Sequence, residues 1–385
     1  MTSTADFAAE LVRIPSVLGD EGPVAERVVE EMTRLGYDRT EIDDAGNAIG
    51  VIEGEEGGPT ILFDAHLDTV DVAPRDAWSR SPFGGEIAGG RLWGRGATDM
   101  KGAMAAVVHG LARVDRARLA GRVVVSGSVG EELIEGAALR AVAERHPADL
   151  VVIGEATGLD LAIAGRGRAE LIVTTRGVPA HASSPRAGIN AVTRMFDVAR
   201  EIERLPLPAD DFVGPGVFCL TALISDPYPA HSVIPSACHA TWERRLLPGE
   251  ELEPLLAELA GACARASAPD TEVRLATTDV TTWTGVDWRE PKWYPAWRLD
   301  PADHLVSGAL DALRAAGIGA RPTAYQFCTN AAWSAGVAGI PTLGFGPGTE
   351  AQAHVVDEWV AIDELERAAI GYRAIAEAFL STLST

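Results

Sequence analysis

The chain has 385 residues, a formal net charge of −22, 47% hydrophobic residues and 23% charged residues. This charge excludes a nucleic-acid binder and disfavours an anionic membrane surface, because a polyanion is repelled and no Lys/Arg stripe offsets the field. At ~150 residues per domain, the length suggests two domains or one large domain with an insertion. Only two lysines occur, Lys101 and Lys292; the other 31 basic residues are arginines. Cys219, Cys238, Cys263 and Cys328 lie far apart with no CxxC pair, which fits reduced thiols in a cytosol. No basic and apolar leader is visible, and no apolar run approaches the ~18 residues that span a bilayer. A cytoplasmic protein with no membrane partner is expected.

Strand and helix signals alternate through the first 165 residues. Residues 23–36 (PVAERVVEEMTRLG) carry apolar positions at helical spacing and end in Gly36. Residues 59–70 (PTILFDAHLDTV) read as an apolar strand with a polar tail. Residues 100–114 read as a helix with Met104, Val107, Val108 and Leu111 on one face. Strands at 122–130 and 148–156 flank a helix at 135–146. This rhythm predicts an α/β layer with a largely parallel sheet, whose ligands sit beyond the carboxyl ends of strands.

The order changes near Gly165. Residues 168–278 read strand, helix, strand, strand, helix, strand, the order of a small two-layer domain. The first rhythm then returns, with a helix near 304–317, a short strand at IPTLGF and a last helix whose Asp363 and Glu366 form a capping-box pattern. The second unit therefore reads as an insertion into the first, with 1–167 and 291–385 flanking an inserted 168–290. Residues 282–297 hold four of the nine tryptophans. They read either as a packed hinge or as an aromatic wall of a substrate cleft.

Several polar residues fall at strand ends. His66 and Asp68 share one side of the strand that they close, the pairing of a metal ligand with a carboxylate that orients it. Asp99 precedes a helix and is either an N-cap or a ligand. Glu131 and Glu132 are adjacent carboxylates after an apolar strand, and they repel unless a cation lies near. Glu155 ends the next strand, and His354 lies in a glycine-rich loop. Singly, each has an ordinary structural reading. Together, two histidines with carboxylates and no cysteine suit two metal ions sharing a carboxylate, with a spare glutamate as general base. There is no GxxxxGK[ST] phosphate loop and no GxSxG nucleophile elbow.

The runs HLDTV, GRGATDMKGAMAA, GEE, the Glu after VVIG, GVPAHASS and AHVVDE resemble the dinuclear zinc amidohydrolases. That family includes acetylornithine deacetylase, succinyl-diaminopimelate desuccinylase, glutamate carboxypeptidase and aminoacylase. The match spans nearly the whole chain, and SVIPSACHATWERRLLPGE and FCTNAAWSAGVAGIPTLGFGPG resemble a selenium-metabolism-hydrolase-like branch. The resemblance implies a zinc-peptidase-like catalytic domain with an inserted α+β, ferredoxin-like lid through which two chains form a homodimer. It implies two divalent ions, zinc with cobalt or manganese as alternatives. His66 and Glu155 would hold one ion and His354 and Glu132 the other, with Asp99 bridging. Asp68 would orient His66, and Glu131 would be the general base and then the acid to the leaving amine.

By the same resemblance, His181 would reach across the dimer to the oxyanion and Arg245 would hold a substrate carboxylate. The usual Asp-x-Arg is here Glu243-Arg244-Arg245, which leaves Arg244 as a rival. Thr329 and Asn330 stand where the family has Ser-Asp or Thr-Ser-Asp, in a substrate-facing loop. The expected reaction is hydrolysis of an amide next to a carboxylate-bearing residue, by an N-acyl amino acid deacylase or a dipeptidase. The alternatives are a carboxypeptidase or desuccinylase of the same family and, outside enzymes, a metal-free binding module.

Overall fold

In a computed structural model, which describes residues 3–381, the apolar runs of the first rhythm pair into a nine-stranded mixed sheet. Its early strands are β1 (Arg39–Ile42), β2 (Ala48–Glu53), β3 (Glu55–His66), β4 (Ala120–Ser128), β5 (Leu150–Ile153) and β6 (Leu161–Gly165). A second sheet uses β7 (Gly167–Arg176), β8 (Val217–Asp226), β9 (Ala237–Leu246), β10 (Glu272–Leu275) and β11 (Trp293–Tyr294). The chain then returns to the first sheet with β12 (Trp297–Arg298), β13 (Pro322–Tyr325) and β14 (Thr342–Gly344).

The large sheet runs β1-β2-β4-β3-β5-β14-β6-β12, with β13 also on β6. Its centre is parallel, with β4, β3, β5 and β14 as neighbours pointing the same way, and β13 runs parallel to β6. The β1-β2-β4 margin is antiparallel, as are β14-β6 and β6-β12, so the largely parallel expectation holds for the four central strands and the β13-β6 pair. Ile61, Leu62 and Phe63 of β3 are wholly buried, as strands covered on both faces require. Each such side chain contributes about 1.5–3 kcal/mol of transfer free energy, which makes the parallel centre the hardest part of the sheet to open.

The crossover from β3 to β4 contains helix α3, described below with its neighbours. Helices α1 (Thr4–Val12), α2 (Gly22–Arg34), α3 (Lys101–Leu111) and α4 (Ala137–Arg145) precede the inserted unit. Helices α5 (Ala191–Glu203) and α6 (Leu252–Arg265) lie within it, and α7 (His304–Ala315), α8 (Ala331–Ser334) and α9 (Ile362–Phe379) follow. The apolar positions at 104, 107, 108 and 111 predict a one-faced α3, yet every residue of this helix is buried. It is clamped between the sheet, α1 and α9, and small residues permit this closeness: a Cβ at Gly110 would lie 2.2 Å from the Ala369 carbonyl oxygen. The capping box at Asp363 and Glu366 does not form. The N-cap of α9 lies two residues earlier, at Ala361, so Asp363 sits inside the first turn and favours the helix dipole there.

The second sheet has the order β8-β9-β7-β10, all antiparallel, with β11 on β7. With α5 and α6 packed on it, the order is ferredoxin-like. Strand β9 alternates: Trp242, Arg244 and Leu246 are buried toward the helices, whereas Glu243 and Arg245 face the other way. Strand β8 is an edge. Much of it is exposed, including Leu223 and Ile224. Among the described residues no helix is long and apolar enough to cross a membrane, and all four cysteines are free thiols.

Candidate metal centre

Four neighbouring parallel strands deliver their carboxyl ends to one rim of the sheet. His66 ends β3; Glu131 and Glu132 follow β4; Glu155 follows β5; the loop after β14 leads to His354. Asp99 joins them from the turn before α3, the crossover helix between β3 and β4. These six residues, scattered over nearly 300 positions, thereby converge.

Asp99 lies between the histidines. Its Oδ1 is 3.0 Å from His66 Nε2 and its Oδ2 is 3.1 Å from His354 Nε2. His66 Nε2 also lies 3.2 Å from Glu155 Oε1 and 3.9 Å from Glu131 Oε2. His354 Nε2 lies 3.0 Å from Glu132 Oε2. His66, Glu131 and Glu155 bring ligand atoms within 4.8 Å of one another, and so do His66, Asp99 and Glu132. His354 has φ +59°, a left-handed conformation unusual for a non-glycine residue and typical of constrained sites.

The electrostatics follow from crowding carboxylates out of water. Burial, with Glu155 adding to it, pushes Glu131 well above the carboxylate range. Burial and Asp99 push Glu155 up to about 7. Burial also works against ionised Asp99, yet hydrogen bonds from His354 and His66 overcome it and hold the group well below its usual range. Hydrogen bonding to Asp99 and Glu132 raises His354 to about 10. Glu131 Oε1 is buried with no hydrogen-bond partner among the described residues. A donor set of oxygens and imidazole nitrogens, an orphaned carboxylate oxygen and mutually repelling acids fit divalent cations. His66, Asp99, Glu131, Glu132, Glu155 and His354 all bring donor atoms within reach of such ions.

Asp68 does not hold His66 with its carboxylate. His66 Nδ1 hydrogen-bonds the Asp68 backbone carbonyl at 3.0 Å, and the carboxylate lies 3.6 Å away. The carboxylate instead accepts the N–H groups of Glu131 and Glu132, both at 3.0 Å. It therefore clamps the loop that presents both glutamates. Strand alternation put His66 and Asp68 on one side, but the two amides beyond β4 offered Asp68 better donors.

The rim opens into a cleft of about 310 Å³ lined by Asp99, Glu131, Glu132, Glu155 and His354, with Arg168 and Arg245 on the inserted unit's side. Arg245 and Arg168 are cross-strand partners on β9 and β7. Arg168 donates to Glu135 at 2.6 Å, and Arg245 lies 2.8 Å from Glu243. Arg244 is buried on the opposite face and donates to Glu250, so it does not reach the cleft. Glu135, Phe327, Cys328 and Glu350 also line the cleft, and the motif reading missed them. Glu135 could have been found from its place one turn beyond Glu131 and Glu132. The others follow no local pattern.

Thr329 and Asn330 do not face substrate. Asn330 Nδ2 donates to Asp64 at 2.7 Å and to Ser128 Oγ at 3.1 Å, and its Oδ1 accepts the Gly136 N–H at 2.6 Å. Its side-chain amide is thus spent on Asp64 and Ser128, near the carboxyl ends of β3 and β4, and on the Gly136 amide. Thr329 is buried beside it, its hydroxyl accepting the Ala331 N–H. The tryptophan-rich segment does not line the metal cleft, although Trp293 lines a neighbouring cleft that shares Glu135 with it. Trp283 packs on Gly22 and Gly46 and donates to the Gly46 carbonyl, and Trp293 and Trp297 pack in the cores of the two sheets. His181 is exposed outside the cleft of its own chain, where its Nδ1 accepts the Ser183 N–H at 3.1 Å.

A family model described as peptidase family M20/M25/M40 matches residues 62–378. The chain is 31% identical over 384 residues to a protein of Escherichia coli K12 named "Uncharacterized protein YgeY", covering 98% of this chain and 94% of that one. It is 34% identical over 293 residues to a succinyl-diaminopimelate desuccinylase of Cereibacter sphaeroides, covering 70% and 74%. Its fold is similar to aminopeptidase PepT from Bacillus cereus, with TM-score 0.74, 22% identity and 98% of each chain covered. It is also similar to YXEP from Bacillus subtilis, described as a dinuclear metal-binding peptidase, with TM-score 0.71, 15% identity and 98% and 97% covered.

Proposed function

The chain belongs to peptidase family M20/M25/M40 and is a metal-dependent hydrolase of amide bonds, and from that premise we propose that it cleaves an amide beside a carboxylate-bearing residue, as an N-acyl amino acid deacylase or a dipeptidase. The observation that carries this reading is the placing of Asp99 with one oxygen toward each histidine, at the floor of a cleft whose lid side offers Arg245. The likeness to a desuccinylase supports, as the second reading, removal of an acyl group that itself bears a carboxylate.

In the proposed site His66 and Glu155 would hold one zinc ion and His354 and Glu132 the other, with Asp99, which has one oxygen toward each histidine, shared by both. The chemistry that such ions supply when bound is polarisation of the scissile carbonyl and a lowered pKa of water. Glu131 accepts a proton from the attacking water as the new C–O bond forms. It then delivers that proton to the amine nitrogen as the C–N bond breaks. Arg245 fixes the substrate carboxylate with its planar fork of donors. The exposed edge β8 pairs with a second copy of the chain, and His181 of that copy donates to the oxyanion.

Two experiments test the core of this reading. Elemental analysis of gently purified protein, with metal restored after chelation, is expected to give two ions per chain; full activity at a stoichiometry that never exceeds one sinks the dinuclear site. Hydrolysis of N-acyl amino acids and dipeptides by the zinc-loaded protein, followed by released amine, tests the substrate class. Arg245→Lys keeps charge and loses the fork, so KM should rise more than kcat falls. An unchanged KM for every carboxylate substrate removes Arg245 from the binding role.

A further inference from the structure

We propose that Glu358 is a positioning residue of the metal centre, acting through Asp99; the inference rests on the dinuclear reading above. Glu358 is wholly buried, lies four residues after His354, and does not line the cleft, so it is not itself placed to be a ligand. Its Oε1 accepts the backbone N–H groups of Thr98 at 2.8 Å and Asp99 at 3.1 Å. Its Oε2 accepts from the guanidinium of Arg95 at 2.6 Å, itself buried. The Glu358 carbonyl accepts the Gly94 N–H at 2.9 Å, and the Trp359 carbonyl accepts the Thr98 hydroxyl at 2.6 Å.

One carboxylate thus ties the loop 94–99, which ends in the bridging residue, to the segment that carries His354. The two oxygens of Asp99 face histidines on opposite sides at nearly equal distances, a placement that tolerates little rotation of the Asp99 backbone. Glu358 holds the amide of that residue, and every partner of its carboxylate is a donor, so the contacts are charge-assisted. Groups that orient metal ligands from behind typically affect metal affinity 10–100-fold.

Glu358→Ala alone would strand the buried guanidinium of Arg95 and could unfold the chain. Two paired variants avoid this. Glu358→Met with Arg95→Met removes charge and acceptor together, whereas Glu358→Gln with Arg95→Met keeps the Oε1 acceptor for the two N–H groups. Metal-free protein is titrated with Zn2+ alone, with folding checked by circular dichroism. The Met pair is expected to bind one of the two ions about 10–100-fold more weakly, and the Gln pair to stay within about threefold of wild type. If wild type takes two ions and the Met pair matches it, or if both pairs lose the same affinity, the role of Glu358 is overturned while the dinuclear site stands. A wild-type chain that never takes a second ion overturns both.

Discussion

Glu131→Gln is expected to leave the bound metal in place and to lower kcat by ~10²–10⁴-fold, the span associated with loss of a general base. The neighbouring Glu132→Gln is expected to lose metal as well. The contrast is sharp because the residues are adjacent, share the clamp from Asp68, and differ in what their carboxylates meet. Glu132 lies against His354, whereas Glu131 keeps one buried oxygen with no partner among the described residues. Steady-state kinetics with metal analysis on the same samples decides the matter. A near-normal kcat in Glu131→Gln would reassign the base.

His181→Ala is expected to lower kcat by ~10²–10³-fold with metal binding spared, the loss typical of one oxyanion donor. In its own chain His181 stands outside the cleft, on an exposed loop of the inserted unit. The stronger test is complementation. Chains carrying His181→Ala are mixed with chains carrying Glu131→Gln, and subunits are allowed to exchange. Sharing of the histidine between copies predicts recovered activity, because a mixed pair holds one site with both groups intact. Background activity after demonstrated exchange removes the shared site.

The convergence of His66, Glu131, Glu132 and Glu155 was legible because each follows an apolar run and parallel strands bring their carboxyl ends to one rim, whereas Asp99 and His354 arrive from loops. What lay beyond sequence was the choice among competing hydrogen-bond partners. Asp68 shares a side with His66, yet its carboxylate finds the amides of Glu131 and Glu132 across the β3–β4 pair. Asn330 carries a residue type common in binding loops, but α8 starts immediately after it and leaves its amide to Asp64 and Ser128. Helix α3 shows an apolar stripe while being buried all round, since alanine and glycine, with buried Lys101 and His109, fill its remaining faces and reveal little to a periodicity count. By contrast, which of Arg244 and Arg245 faces the cleft follows from strand alternation alone, once the direction of the β9 face is known.

Lys101 and Lys292 are both buried, and each ammonium donates to a backbone carbonyl, Lys101 to Ile14 at 2.6 Å and Lys292 to Leu133 at 2.9 Å. The described surface of the fold therefore offers amine-directed reagents no lysine. The two sites report different openings. Lys101, at the first turn of α3, is sealed between the Gly96 turn and the Ile14 carbonyl and reports the opening of that part of the catalytic body. Lys292 leads into β11 of the inserted unit, and its carbonyl partner lies in the loop that bears Glu131 and Glu132. Its acylation rate, followed by peptide mass spectrometry, is a clock for the inserted unit parting from the catalytic loop, built in without any added label.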